Sequence, residues 1–283
     1  MLEFPRTNVG GLSLSRMVVG TNWFLGFSHQ TAARDRFIQQ YHSTPKSIAD
    51  VLEVFLAAGV DAVMGLFSRP LLAQACLEAE QRTGRRIIRV DTPGLAFAAD
   101  GTLNLDETAR ILDQSAAVGA DVCMPHQGTT DRLLDRTIRR IRQMDIVCRM
   151  IRERGMIPGL STHMPETPIY ADESGLDVAT YIQIYNAIGF LMQIEVDWVH
   201  RMIHKCAKPV MTIKPMAAGR LPPLQGLAFV WATLREIDMV TVGCLTTDEA
   251  KEVIEISLCL LAGRAPEVEL QRTRSKELVE RRQ

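Results

Sequence analysis

TPKSIADVLEVFLAAGVDAVMG, residues 44–65, is a helix pattern that runs straight into a strand pattern. Ile48, Val51, Leu52 and Phe55 fall on one face at helical spacing, and the pattern stops at Gly59. DAVMG (61–65) then has the nearly continuous apolar content of a strand buried on both faces. Similar short runs rich in Val, Ile and Met recur along the whole chain: SRMVVGTN (15–22), RIIRVDT (86–92), DVCMPH (121–126), IPGLSTH (157–163), ATYIQIYN (179–186), PVMTIKP (209–215) and MVTVGCL (239–245). Helical patterns separate them. LDETARILDQSAAVG carries Ile111, Leu112 and Ala116 and ends at Gly119. GLAFVWATLREI and TDEAKEVIEISLCLL follow the seventh and eighth runs, the latter with Thr247 as the expected N-cap. Eight strand-then-helix units predict an α/β fold, the closed (β/α)8 TIM barrel. A doubly wound open sheet is disfavoured, because no GxGxxG follows the first run.

No linker divides the chain, so residues 1–283 are expected to form a single barrel domain. Two segments go beyond the minimal barrel: a long loop after strand one (23–44) and a charged tail (264–283) expected as a peripheral C-terminal helix. EVDWVHRMIHKC is expected as a helix outside the barrel, with Trp198, His200 and His204 on it. The segment after strand four is rich in arginine (Arg132, Arg136, Arg139, Arg140, Arg142, Arg149, Arg152). It reads as the solvated face of a helix with Leu134, Ile138, Ile141 and Val147 turned inward.

Composition narrows the class of function. The chain is 47% hydrophobic and 23% charged with net charge -1, so neither nucleic acid nor a membrane surface is an expected partner. Cys76, Cys123, Cys148, Cys206, Cys244 and Cys259 show no CxxC spacing and read as reduced thiols. The opening residues do not lead to the expectation of a signal sequence, and no apolar stretch approaches the roughly 20 residues of a membrane span. A cytoplasmic protein with a small-molecule substrate is expected, with homo-oligomerisation left open.

Several stretches resemble the aldo/keto reductases. GLSLSRMVVGTN (11–22) is similar to the family's opening hairpin and first strand, and TPKSIADVLEVFLAAGVDAV to its first helix and second strand. GLSTHMPE (159–166) resembles strand five of an uncharacterised bacterial branch, IKPMAAGRL (213–221) the loop after strand seven, and VTVGCLTTDEAKE (240–252) the last strand and helix. The resemblance implies the barrel, a catalytic Asp–Tyr–Lys–His tetrad and a nicotinamide cofactor. Taken residue by residue, most of the tetrad fails to carry over. Met64 stands at the aspartate position, Arg69 lies near the tyrosine position, Asp91 replaces the lysine, and only His126 in MPHQG matches. Carbonyl reduction without the tyrosine lacks its proton donor. The resemblance places Ser161, Gln183, Gly219 and Gly243 as the candidates to hold NAD(P). Against that, Lys214 stands where many members stack an aromatic ring, and TTDEAKE offers acids where a 2′-phosphate needs Arg or Lys. NAD(P) binding is therefore not favoured.

In a barrel the C-terminal strand ends surround the active site. Here they supply Thr21 and Asn22, Asp91, His126 with Gln127, His163 with Glu166, Gln183 with Asn186, and Lys214. Three readings stay open. Asp91, His126 and His163 would together ligate a divalent metal. Alternatively His126 or His163 acts as acid or base, Asp91 orients it and Lys214 steadies an enolate or oxyanion, while Asn22, Gln127 and Asn186 bind substrate. In the third reading the cluster is a structural hydrogen-bond network in a non-catalytic barrel. The acid/base reading describes an enzyme acting on a small hydroxylated carbonyl compound, sugar or sugar-acid-like, by isomerisation or elimination. Its main alternative is an NAD(P)-dependent oxidoreductase with a rearranged site.

Overall fold

Each apolar run becomes a strand because both of its sides have something apolar to touch. The computed structural model describes residues 3–268 and 270–280. The barrel strands are β1 (Met17–Gly20), β2 (Ala62–Gly65), β3 (Ile88–Asp91), β4 (Val122–Cys123), β5 (Ile157–Pro158 continued by Leu160–Ser161), β6 (Tyr181–Ile184), β7 (Val210–Ile213) and β8 (Met239–Val242). All neighbouring pairs are parallel and follow chain order, with β8 returning to β1 through Val240 opposite Met17. The barrel closes at β5, whose first half pairs with β4 and whose second half pairs with β6. The switch falls at Gly159, where an added Cβ would lie 2.8 Å from Met124 Cε and 3.0 Å from the Thr180 carbonyl. No larger residue fits there without moving the strand.

The helices follow their strands: α1 (Pro45–Ala57), α2 (Pro70–Thr83), α3 (Leu105–Ala117), α4 (Met144–Glu153), α5 (Thr167–Glu173), α6 (Val196–Lys205), α7 (Pro223–Thr233) and α8 (Thr247–Leu261). Proline opens α1, α2 and α7, where its missing N–H has no partner to lose. Inward strand residues such as Val18, Ala62, Val90, Val122 and Met211 fill the barrel. Outward residues such as Val19, Val63, Cys123, Tyr181 and Val240 meet the helices. An antiparallel hairpin, Arg6–Val9 with Leu12–Ser15, adds Val9 and Leu14 to the inner cluster and so covers the end opposite the site. Each such side chain, fully removed from water, stabilises the fold by about 1.5–3 kcal/mol.

The expected barrel is present, and two local expectations need correction. The segment after β4 is not one arginine-rich helix. A short helix, Gln127–Leu133, gives way to an antiparallel pair, Leu134–Asp135 with Arg140–Ile141, before α4 begins. Ile138 is consequently exposed, while Ile141 and Val147 are buried as expected. The arginines here are held by acids: Arg136 by Glu166, Arg139 by Glu173, Arg142 by Asp135 and Arg152 by Asp177. At α8 the N-cap is Thr246, one residue before the expected Thr247, and its hydroxyl accepts from the Glu249 amide at 3.1 Å. The long first loop contains two helices, Asn22–Leu25 and Ala32–Tyr41, and the tail contains a helix over Arg274–Glu280. Among the described residues no helix is long and apolar enough to cross a membrane.

Candidate active site at the barrel mouth

Of the residues expected in the site, Asn22, His126, Gln127, Ser161, His163, Lys214, Gly219 and Gly243 line one cavity of about 700 Å³. Asp91, Gln183 and Asn186 do not line it. For Asp91 the reason is strand alternation. Val90 belongs to the barrel interior, so its neighbour Asp91 turns outward to the helix layer. There one carboxylate oxygen accepts from the Phe67 amide at 3.0 Å and the other from the Ser115 hydroxyl on α3 at 2.6 Å. Asp91 is therefore neither the orienter of a histidine nor a metal ligand, and burial holds its carboxyl above the usual range. Without it the donor set Asp91, His126 and His163 does not form. Among the described residues no three His, Cys, Asp or Glu side chains gather in a metal-binding arrangement.

Asn186 is engaged locally. Its amide donates to the Phe190 carbonyl at 3.0 Å and accepts from the Phe190 amide at 2.8 Å, which shapes the loop after β6. Gln183 alternates outward beside Ile182 and is buried, with Oε1 lacking a hydrogen-bond partner.

His126 caps the helix Gln127–Leu133. Its Nδ1 accepts from the Gly128 amide at 3.2 Å, which assigns the ring proton to Nε2. His163 lies two residues beyond β5, and its position is fixed from behind by Asp131, which accepts from the His163 amide at 3.1 Å and from the Thr162 hydroxyl. His29 arrives from the first loop, which sequence alone could not place. Its Nδ1 donates to the Phe27 carbonyl at 3.1 Å, leaving Nε2 as an acceptor. The backbone of His29 is left-handed, with φ 57°.

Lys214 lies at the end of β7 with φ 63°, immediately before Pro215. Ile213 already lines the cavity, and a regular strand would turn the next residue away. The left-handed backbone at Lys214 keeps its side chain on the cavity wall. The Lys214 carbonyl accepts from the Ala217 amide at 2.9 Å, while among the described residues its ammonium has no hydrogen-bond or ion-pair partner. Burial pushes its ammonium down to about 8. Burial also lowers His29 and His126, with the Lys214 charge as the second cause. His163 is lowered furthest, to about 4, by burial and then by Lys214, His126 and His29. The mouth thus holds one amine and three imidazoles whose proton affinity is lowered, and no carboxylate forms an ion pair with the amine.

None of the four tyrosines lines this cavity. Tyr41 is exposed on the first-loop helix, Tyr170 lies beneath Arg139, Tyr181 donates to Asp172 and Tyr185 to Thr233. The cavity continues past Lys214 between the loop after β7 and the start of α8, where Glu249 and Glu252 line it. Gly219 and Gly243, the backbone a dinucleotide would approach, line the cavity and have first-loop side chains beside them. A Cβ at Gly219 would lie 3.1 Å from Gln30 Nε2, and one at Gly243 would lie 3.0 Å from Trp23 Cδ1. Gln30 also donates to the Ala218 carbonyl at 2.7 Å, which clasps the loop across the cavity. Arg220 packs its guanidinium on the Phe190 ring and donates to the Ala217 carbonyl.

The architecture defines the class of fold: the chain is a (β/α)8 barrel similar in fold to aldo/keto reductase structures. It is similar to a Pseudomonas aeruginosa structure described as an aldo-keto reductase, at 17% identity and TM-score 0.64 over 90% of this chain and 96% of that one. An aldo/keto reductase from Brucella melitensis matches at 14% identity and TM-score 0.58, covering 90% and 93% of the two chains. A thiamine phosphate pyrophosphorylase from Pyrococcus furiosus also matches, at 10% identity and TM-score 0.51, covering 87% and 95%. At these identities the likeness is one of fold, and the barrel serves more than one chemistry among its neighbours. No protein-family model and no curated protein matches this sequence.

Proposed function

We propose that this protein is an enzyme acting on a small hydroxylated carbonyl compound, sugar or sugar-acid-like, by proton transfer at the C-terminal mouth. The observation that carries the reading is Lys214, a partly buried amine without an ion-pair partner, lining one cavity with three imidazoles of lowered proton affinity. Lys214 would meet the carbonyl or carboxylate end of the substrate. His126 presents Nε2–H as a donor, and His29 presents an unprotonated Nε2 as a base. Asn22 and Gln127 offer hydrogen bonds to substrate hydroxyls. A purely structural network is disfavoured, because the Lys214 side chain makes no hydrogen bond or ion pair to any member of the cluster. Six free, buried cysteines support a reducing, cytoplasmic setting.

A nicotinamide-dependent reductase is the second reading, favoured by the continuation of the cavity toward α8. It requires a proton donor other than tyrosine.

The test is solvent exchange. The protein is incubated in D2O with a panel of hydroxyaldehydes and sugar acids, and deuterium entry beside the carbonyl is followed by NMR. Exchange in the parent that disappears in His29→Gln or His126→Gln is the expected result. A panel that neither exchanges nor shifts the melting temperature would remove the proposal.

A further inference from the structure

We infer that Lys214 engages its substrate covalently, its Nζ adding to an aldehyde or ketone carbon to form an imine. This deepens the proton-transfer reading and rests on it. The first support is what surrounds the amine. Met64, Ile182 and Ile213 line the same cavity and give it an apolar floor. The acids that could have held an ammonium do not hold this one. Asp91 is bound to Phe67 and Ser115, Glu249 accepts from the Leu245 amide at 2.6 Å, and Glu252, which also lines the cavity, forms no ion pair with Lys214. A lysine kept for its charge is stabilised by a counter-charge, whereas a nucleophilic lysine is desolvated and left unpaired.

The second support is the company of the amine. Imine formation moves protons without net acid or base, and the groups sharing the cavity are imidazoles with one free nitrogen each at His126 and His29. The third is backbone placement. A left-handed residue before proline is an uncommon conformation, and here it sets the amine on the cavity wall. Burial adds to these: with the ammonium lowered to about 8, about a tenth of the molecules carry the free amine at pH 7.

The step balances without oxidant or reductant. The nitrogen lone pair forms the C–N bond as the carbonyl π pair moves to oxygen. A proton leaves nitrogen and reaches that oxygen through an imidazole, giving the carbinolamine. Loss of one water breaks the C–O bond and leaves the imine, which on protonation draws electrons from the adjacent C–H or C–C bond. Proton abstraction beside the carbonyl is then the chemistry assigned above.

The test is reductive trapping. Purified full-length protein is mixed separately with D-glyceraldehyde, pyruvate and D-glucuronate, with and without cyanoborohydride, and read by intact mass and peptide mapping. The expected result is one adduct per chain, of substrate mass less one oxygen, located on Lys214 and absent from Lys214→Arg and Lys214→Met. Circular dichroism confirms that both variants are folded. Labelling that is absent, or that persists equally in Lys214→Arg, overturns the imine. The two proposals separate by their readouts. Deuterium exchange without a Lys214 adduct leaves proton transfer standing and removes the covalent step. Neither exchange nor adduct removes both.

Discussion

Replacing Lys214 by methionine removes a charge that the cavity does not compensate, and the expected effect on stability is a gain. In the folded protein the ammonium falls from its ordinary 10.5 to about 8. At about 1.36 kcal/mol per pH unit this corresponds to about 3 kcal/mol, reduced to about 2 kcal/mol by the solvent that reaches the cavity. Because the folded affinity for the proton is the lower one, the penalty is complete below pH 8 and gone above 10.5. Lys214→Met should therefore melt higher than the parent at pH 7, by about 3 °C for a chain of this length, with the gain vanishing by pH 10.5. Melting curves by circular dichroism at pH 7, 9 and 10.5 measure this directly. If the variant is destabilised at pH 7, or its gain does not change with pH, Lys214 has a partner and the reasoning fails. The same melts with a bound sugar acid should show a ligand shift in the parent only.

On the acid side, His163 falls from 6.5 to about 4, so the unfolded chain takes up a proton that the folded one refuses. Parent stability should decline relative to His163→Gln between pH 6.5 and 4, by about 2 kcal/mol, and equal slopes in acid titration melts would contradict this. Ser115→Ala should cost about 1.5–3 kcal/mol by leaving the buried Asp91 short of a donor, yet leave ligand binding intact. Loss of binding at full stability would return Asp91 to the site. Generic aldehydes should not drive NADPH oxidation, and Tyr41→Phe should change nothing, since no tyrosine lines the cavity. Robust turnover in a spectrophotometric assay would reveal another proton donor.

The strands were legible because parallel strands covered on both sides must be apolar on both sides, and eight such runs admit few architectures. That same property concealed which side each residue takes. In β3 the outward positions are Arg89 and Asp91, one paired with Glu80 and the other with Ser115, so a polar residue near the strand end did not mark the mouth. Left-handed backbone at residues other than glycine hid the rest. Arg139 and Gln143 take positive φ around the Arg140–Ile141 strand, turning an expected helix into a hairpin without a glycine or proline to announce it. Lys214 and His29 do so in the site itself, one held on the wall against strand alternation and the other presented from a loop. Such conformations cost of order 1–3 kcal/mol each and persist where surrounding structure imposes them. Here that structure is the clasp of Gln30 on Ala218 and the turn in which the Ala217 amide donates to the Lys214 carbonyl at 2.9 Å. Both meet over the cavity that the amine and the imidazoles share. Of the seven left-handed residues other than glycine among those described, His29, Lys214 and Ala218 line this cavity and Ala217 adjoins them, a concentration that a remnant network relaxing toward apolar packing would have no reason to keep.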